Sequence, residues 1–174
     1  MKLYFSPMAC SLSPHIVASE LGIKVALEKV DIGAKKTHDG KDFFAINPKG
    51  YVPALQMENG ELLTEGPAIV QYLADRKPEA GLAPANGTIE RYRLQETLGF
   101  INSEIHKTYS PLFNDKTSAE LRQDRLEYLG KRYALIEKQL AGRSLASGFL
   151  SARYCTIAGP SVRTSPLSSS SAGT

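Results

Sequence analysis

The sequence has no long apolar run, and nothing in it approaches the roughly 18 residues that cross a bilayer. Its start, Met1-Lys2-Leu3-Tyr4-Phe5-Ser6-Pro7, lacks the apolar stretch of a secretory leader. Cysteine is scarce: Cys10 and Cys155 stand near opposite ends. Two such thiols make no disulfide framework and read as those of a cytoplasmic chain. Net charge is small, +3, and the basic residues are interleaved with acids, as in Lys131, Arg132, Glu137 and Lys138. A nucleic-acid-tracking face needs a basic stripe instead. The histidines and cysteines have no metal-ligand spacing, and there are no internal repeats. These absences set aside a membrane protein, a disulfide scaffold, a nucleic-acid binder and a metal module.

What remains is ordinary globular material: 174 residues, 42% hydrophobic and 22% charged. Residues 1–78 alternate strand and helix signals. Lys2-Leu3-Tyr4-Phe5 predicts a strand stopped by Ser6-Pro7. Ser11 to Leu21 predicts a helix closed by Gly22, with Pro14 tolerated in its first turn. Val25 to Val30 is a second strand, and Asp42 to Ile46 is a short helix broken by Asn47-Pro48. Val52 to Met57 and Leu62-Leu63 flank Asn59-Gly60, a hairpin signal in which both turn residues take positive φ. Pro67 to Asp75 is the next helix. The order β-α-β-α-β-β-α predicts a right-handed crossover, then a hairpin, in a mixed four-stranded sheet with helices on its faces.

Residues 79–88 carry Gly81, Pro84 and Gly87 and read as a linker. Residues 89–148 change character. Leu94, Leu98, Ile101 and Ile105 recur at helical spacing, as do Leu126, Leu129, Tyr133, Ile136 and Leu140. They predict two long amphipathic helices, the second capped by Ser118. Residues 149–174 lose this periodicity, become rich in Ser, Thr, Gly and Pro, and read as a disordered tail.

Chemistry concentrates at the front. Cys10 follows the first strand and opens the first helix, where the dipole and unpaired N–H groups favour a thiolate. Its position is equally that of a buried structural cysteine. Cys10-Ser11-Leu12-Ser13 lacks a second thiol, so a site built on it needs an external one. Pro53, at the start of a strand, suits either an ordinary trans turn or a cis bond that would leave the Val52 main chain beside Cys10 for an extended peptide. Glu65-Gly66-Pro67 precedes a helix, with Gly66 as N-cap and Pro67 at the first helical position. That helix end accepts an anion and Glu65 an ammonium, or the segment is a plain cap. Together these features describe a site for a small thiol peptide with an amino-acid head, the layout of glutathione.

With these residues in view, the chain resembles the bacterial beta-class glutathione S-transferases over residues 1 to about 145. The resemblance rests on Lys2-Leu3-Tyr4, Ala9 through His15, Asp31 with Lys35-Lys36-Thr37, Asn47 through Leu55, Leu63 through Ile69, and Glu104-Ile105-His106-Lys107. It implies a thioredoxin-like domain followed by an all-α domain, here incomplete, in a cytoplasmic homodimer. The activity it implies is conjugation of the glutathione thiolate to electrophiles in xenobiotic detoxification. Thiol–disulfide exchange and dehalogenation are variants of that chemistry. It further implies that Cys10 faces the glutathione sulfur and that Lys35 meets the glycine carboxylate. Val52 would pair with the cysteinyl unit, and Glu65 and Gly66 would hold the γ-glutamyl head. Ser103 and His106 would complete the site from the helical side, and His106 would join Cys10 as a catalytic residue by hydrogen-bonding the thiol or thiolate. Glutathione is the co-substrate and no metal is implied. A lone histidine such as His106, flanking an apolar stripe, also reads as a boundary residue. Two rival readings stand beside the enzyme: a non-catalytic glutathione- or protein-binding module, and an inactive truncated product.

The chain departs from the family at Gly99, where Asn is frequent, and at Phe149-Leu150-Ser151-Ala152-Arg153, where the family shows a Phe-Ser-Val-Ala-Asp-like segment. Reading those codons one nucleotide later permits Phe, Ser, Val or Ala, a residue that cannot be Ala, then Asp, which predicts a frameshifted tail. Leu94, Leu98, Ile101 and the Leu126–Leu140 stripe would then lack partner helices. A weakly stable helical half is the expectation.

Overall fold

The computed structural model describes residues 1–140. The expected tail at 149–174, its frameshift reading and Cys155 lie outside the described residues. Strand β1 (Lys2–Phe5) runs parallel to β2 (Ala26–Asp31) and antiparallel to β4 (Ala54–Gln56). In this register Leu3 lies opposite both Leu27 and Leu55. Helix α1 (Leu12–Glu20) makes the crossover from β1 to β2. Strand β5 (Leu62–Thr64) pairs antiparallel with β4 at one edge.

With β3 (Lys36–Thr37) the sheet has five strands rather than four, in the order β3-β2-β1-β4-β5. The added edge, β3, pairs through Val30 with Thr37 and Asp31 with Lys36. No apolar alternation announces a two-residue strand. Asp31 makes it by folding the chain back: its Oδ1 accepts the N–H groups of Gly33 and Ala34, each at 2.9 Å. The β4–β5 turn also differs from the expectation. Gly60 has φ +88° while Asn59 keeps negative φ. The Gly60 N–H donates to the Met57 carbonyl at 3.1 Å and the Met57 N–H to the Glu61 carbonyl at 2.8 Å. This is a three-residue loop with glycine at its left-handed position. The Asn59 side chain is used on Glu61, accepting its N–H at 3.1 Å.

Helix α2 (Phe43–Ile46) is short and capped by Asp42, which accepts from the Phe44 N–H at 3.0 Å. Helix α3 (Gly66–Asp75) begins one residue earlier than expected. Glu65 is its cap, Gly66 its first residue and Pro67 its second. Helix α4 (Ile89–Phe100) starts at the Thr88 cap and passes into a π turn (Ile101–His106) and a 3-10 stretch (Lys107–Phe113). Helix α5 (Ala119–Leu140) follows, with Ser118 Oγ accepting from the Leu121 N–H at 3.2 Å as expected.

The two faces of the sheet bury different material. Tyr4, Val30, Phe43, Val52 and Ala54 close one face. The other is continuous with the helices: Leu3, Leu55, Ile69, Val70 and Leu73 join Leu98, Ile101, Ile105, Leu129 and Ile136 in a single cluster. The expectation that Leu98 and Ile101 lack partners is therefore corrected. They are 1% and 0% exposed and share one cluster with Ile69, Val70 and Leu73 of α3, and Leu129 and Ile136 of the second stripe are buried in it too. Each such side chain contributes about 1.5–3 kcal/mol. Leu126, at 40% exposed, does stand open to solvent. Arg91, itself 3% exposed, fastens α4 to α3 with bonds to Asp75 at 2.6 and 2.8 Å and to the Pro84 carbonyl at 3.0 Å.

Candidate active site

The loop from β1 to α1 is closed by Ser11, whose Oγ accepts the Ser6 N–H and donates to the Ser6 carbonyl, both at 3.1 Å. This ring sets Cys10 just ahead of α1, half-buried, with its Sγ donating to the Val52 carbonyl at 3.4 Å. The Val52-Pro53 bond is cis. Ladder pairing in β4 starts only at Ala54, so the Val52 main chain lies outside the paired strand.

The segment before Val52 gathers the charged groups. Asn47 Nδ2 donates to the Tyr51 carbonyl at 2.8 Å and fixes the turn. Gly50 holds φ +65°, and a Cβ there would come within 2.6 Å of the Phe44 ring. Lys35 donates its ammonium to the Gly50 carbonyl at 2.9 Å, with the rings of Tyr51 and Phe44 at 5.5 and 5.9 Å. On the other side Lys49 donates to Thr64 Oγ1 at 2.9 Å and to Glu65 Oε1 at 3.0 Å. Glu65 has φ +70°, and its carbonyl accepts the N–H groups of Ala68 and Ile69. Proline 67 brings no N–H, which leaves the Gly66 N–H as the donor at that end of α3.

Burial pushes the Cys10 thiol above its ordinary value. The N–H groups of Cys10 and Ser11 pull the other way, and the Glu65 carboxylate adds to the rise. The helix end thus stabilises a thiolate less than desolvation penalises it, opposite to the expectation from the dipole alone. At neutral pH Cys10 is an S–H donor.

Cys10, Lys35, Val52, Pro53, Glu65 and Gly66 are therefore linked through the 47–53 segment and the start of α3. Ser103 and His106 lie on the π turn of the helical side. Ser103 is exposed and donates to the Gly99 carbonyl at 3.0 Å, and His106 is half-buried. Sequence reasoning assigned no role to Lys49. Its only signal is position, in the turn leading to Val52. Among the described residues no three His, Cys, Asp or Glu side chains are gathered to hold a metal.

The chain matches the family model described as glutathione S-transferase, N-terminal domain, over residues 7–76. It is 43% identical over 140 residues to glutathione S-transferase GstA of Escherichia coli O157:H7, covering 80% of this chain and 70% of that one. Among solved structures it resembles the bacterial beta-class glutathione S-transferase of Sphingomonas chungbukensis, with a TM-score of 0.85 and 42% identity over 91% of this chain and 80% of that one. It also resembles a sphingomonad glutathione S-transferase complexed with glutathione, with a TM-score of 0.80 and 43% identity over 91% and 84%.

Proposed function

The chain belongs to the glutathione S-transferase family, and from that premise we propose that it binds glutathione alongside Cys10 and the Val52 main chain and transfers its thiolate to electrophilic carbon. The observation that carries this reading is the Cys10 thiol 3.4 Å from the Val52 carbonyl, with Lys35 held on the Gly50 carbonyl of the same segment and Glu65 at the start of α3. An extended tripeptide with a thiol in its middle matches that order.

In this reading Lys35, anchored on the Gly50 carbonyl, meets the glycine carboxylate. The Val52 main chain pairs with the cysteinyl unit. Glu65 accepts from the α-ammonium while the Gly66 N–H and the α3 dipole face the α-carboxylate. Ser103 and His106 close the site from the helical side, and the His106 imidazole hydrogen-bonds the bound glutathione thiol or thiolate and helps set its protonation. The free glutathione thiol is only a few per cent ionised at neutral pH. Cys10, protonated because burial raises it, turns its S–H from the Val52 carbonyl to the bound sulfur and favours the thiolate there, while the glutathione proton passes to water. The thiolate attacks the electrophilic carbon, a carbon–sulfur bond forms, and the leaving group departs with the bonding pair. Residues 1–78 act as the glutathione-binding domain, 79–88 as the linker and 89–148 as the helical domain. The protein works as a cytoplasmic homodimer on xenobiotic electrophiles.

The test is turnover of a chlorodinitrobenzene with glutathione, followed by absorbance. A rate above the uncatalysed one, with chloride released in step, is expected. Glutathione uptake without turnover would instead indicate a binding module.

A further inference from the structure

The stretch 101–113 departs twice from α geometry, first as a π turn and then as a 3-10 stretch. Such turns are less favourable than the α-helix and persist where surrounding contacts hold them, often at functional sites. Ile101 and Ile105, both fully buried, hold the inner side. The outer side is held by α5. Tyr128 donates its hydroxyl to Glu104 Oε2, and Arg132 donates Nε to the same oxygen at 3.1 Å. A second arm of the Arg132 guanidinium donates to the Tyr128 hydroxyl at 2.7 Å, and the group lies 4.3 Å over the Tyr128 ring. Farther along, the hydroxyls of Tyr109 and Tyr133 share a hydrogen bond of 3.0 Å, and Arg122 donates to the Leu112 carbonyl at 3.0 Å. Attachments from one regular helix thus span both irregular stretches.

Glu104 sits at the centre of the π turn, directly after Ser103 and two residues before His106. The Tyr128 hydroxyl, with Arg132 behind it, holds the Glu104 carboxyl below its ordinary range. The attachment therefore stays ionised throughout neutral pH. Its partners are on one helix, one turn apart, so a single face of α5 grips the π turn at Glu104.

We propose that Tyr128 and Arg132 are positioning residues for the glutathione site: by gripping Glu104 they fix the π turn and thereby the direction in which His106 faces the thiol. This inference rests on the reading of His106 given under the proposed function. Neither Tyr128 nor Arg132 touches the tripeptide, and their effect passes through His106.

The experiment uses the full chain and calorimetric titration with glutathione at neutral and alkaline pH. Tyr128→Phe keeps the ring and its stacking and removes only the hydroxyl. It is expected to weaken glutathione binding about tenfold at neutral pH, with less loss when the thiol is already ionised. Glu104→Gln keeps an acceptor for both donors and is expected to lose less than Glu104→Ala. In a His106→Ala background Tyr128→Phe is expected to add nothing, because a residue acting through another loses its effect when that residue is gone. Equal losses with and without His106 would overturn the proposal, as would unchanged binding in Tyr128→Phe beside weakened binding in His106→Ala. Unchanged binding in His106→Ala itself would overturn the reading of His106, and this inference with it.

Discussion

Replacing Glu65 by glutamine removes one negative charge and preserves the shape of the side chain, so two consequences can be separated from a folding defect. The first is lost attraction for the α-ammonium of glutathione. A hydrogen bond to a charged group contributes about 1.5–3 kcal/mol. Glu65 is 59% exposed and already shared with Lys49. Water and the neighbouring ammonium both screen it, which selects the low end, about 1.5 kcal/mol, or roughly a tenfold rise in Kd. The second consequence concerns Cys10. The Glu65 carboxylate is one of the groups that hold the thiol up, so its removal lowers the thiol. Calorimetric titration with glutathione reads the first effect. The pH profile of Cys10 alkylation by iodoacetamide reads the second, on the same preparation. The expected result is weaker binding together with an alkylation midpoint moved toward lower pH. Unchanged Kd in a variant that melts like the parent would refute the placement of the ammonium at Glu65.

Other expectations follow from the same geometry. In the parent chain the alkylation midpoint of Cys10 should lie above its ordinary value of 9.0; a midpoint below neutrality would contradict the burial argument. The stability this neutral thiol contributes is present below its unfolded pKa and lost as pH rises through the folded one. Oxidised glutathione in alkaline buffer should leave one adduct on Cys10, absent in Cys10→Ala: the thiolate attacks the disulfide, a mixed disulfide forms and one glutathione leaves as thiol. Absence of that adduct by intact mass would exclude exchange at this site. Asp75→Asn should cost about 1.5–2 kcal/mol, because it breaks the charged pair with buried Arg91 while Asp75 is partly screened. Arg91 holds the Asp75 carboxyl below its ordinary range. Its contribution is thus present above about pH 4 and lost as pH falls through the folded value, so the melting gap between parent and variant should close in acid. Gly50→Ala should destabilise by about 1–2 kcal/mol from its left-handed backbone alone. It should also weaken glutathione binding by moving the carbonyl that anchors Lys35; parental stability in this variant would contradict the requirement for glycine.

Most elements of the front half were legible because their signals are local. Leu3-Tyr4-Phe5 stops at Ser6-Pro7, and Gly22 ends α1 where its left-handed φ is needed. β3 was not legible, since Lys36–Thr37 is held by pairing with β2 rather than by an apolar pattern. The π turn was hidden for a related reason. Leu98, Ile101, Ile105 and Tyr109 keep helical spacing through it, and what distinguishes it is the grip of α5 on Glu104. In the site, the grouping of Cys10, Val52 and Glu65 could be read from strand ends and a helix start. The direction of the Cys10 shift could not, because the helix end is written beside it, while its burial is a product of the fold and the Glu65 carboxylate that adds to the rise lies far along the chain. Lys49 escaped notice because its partners, Thr64 and Glu65, approach only once the β4–β5 hairpin forms.

The most direct measurement is amide chemical-shift mapping of the labelled chain during titration with glutathione. Saturable shifts at the Cys10, Val52 and Gly66 amides, one tripeptide per chain, are predicted. A folded chain whose amides at those positions stay still as the tripeptide is added would contradict the site.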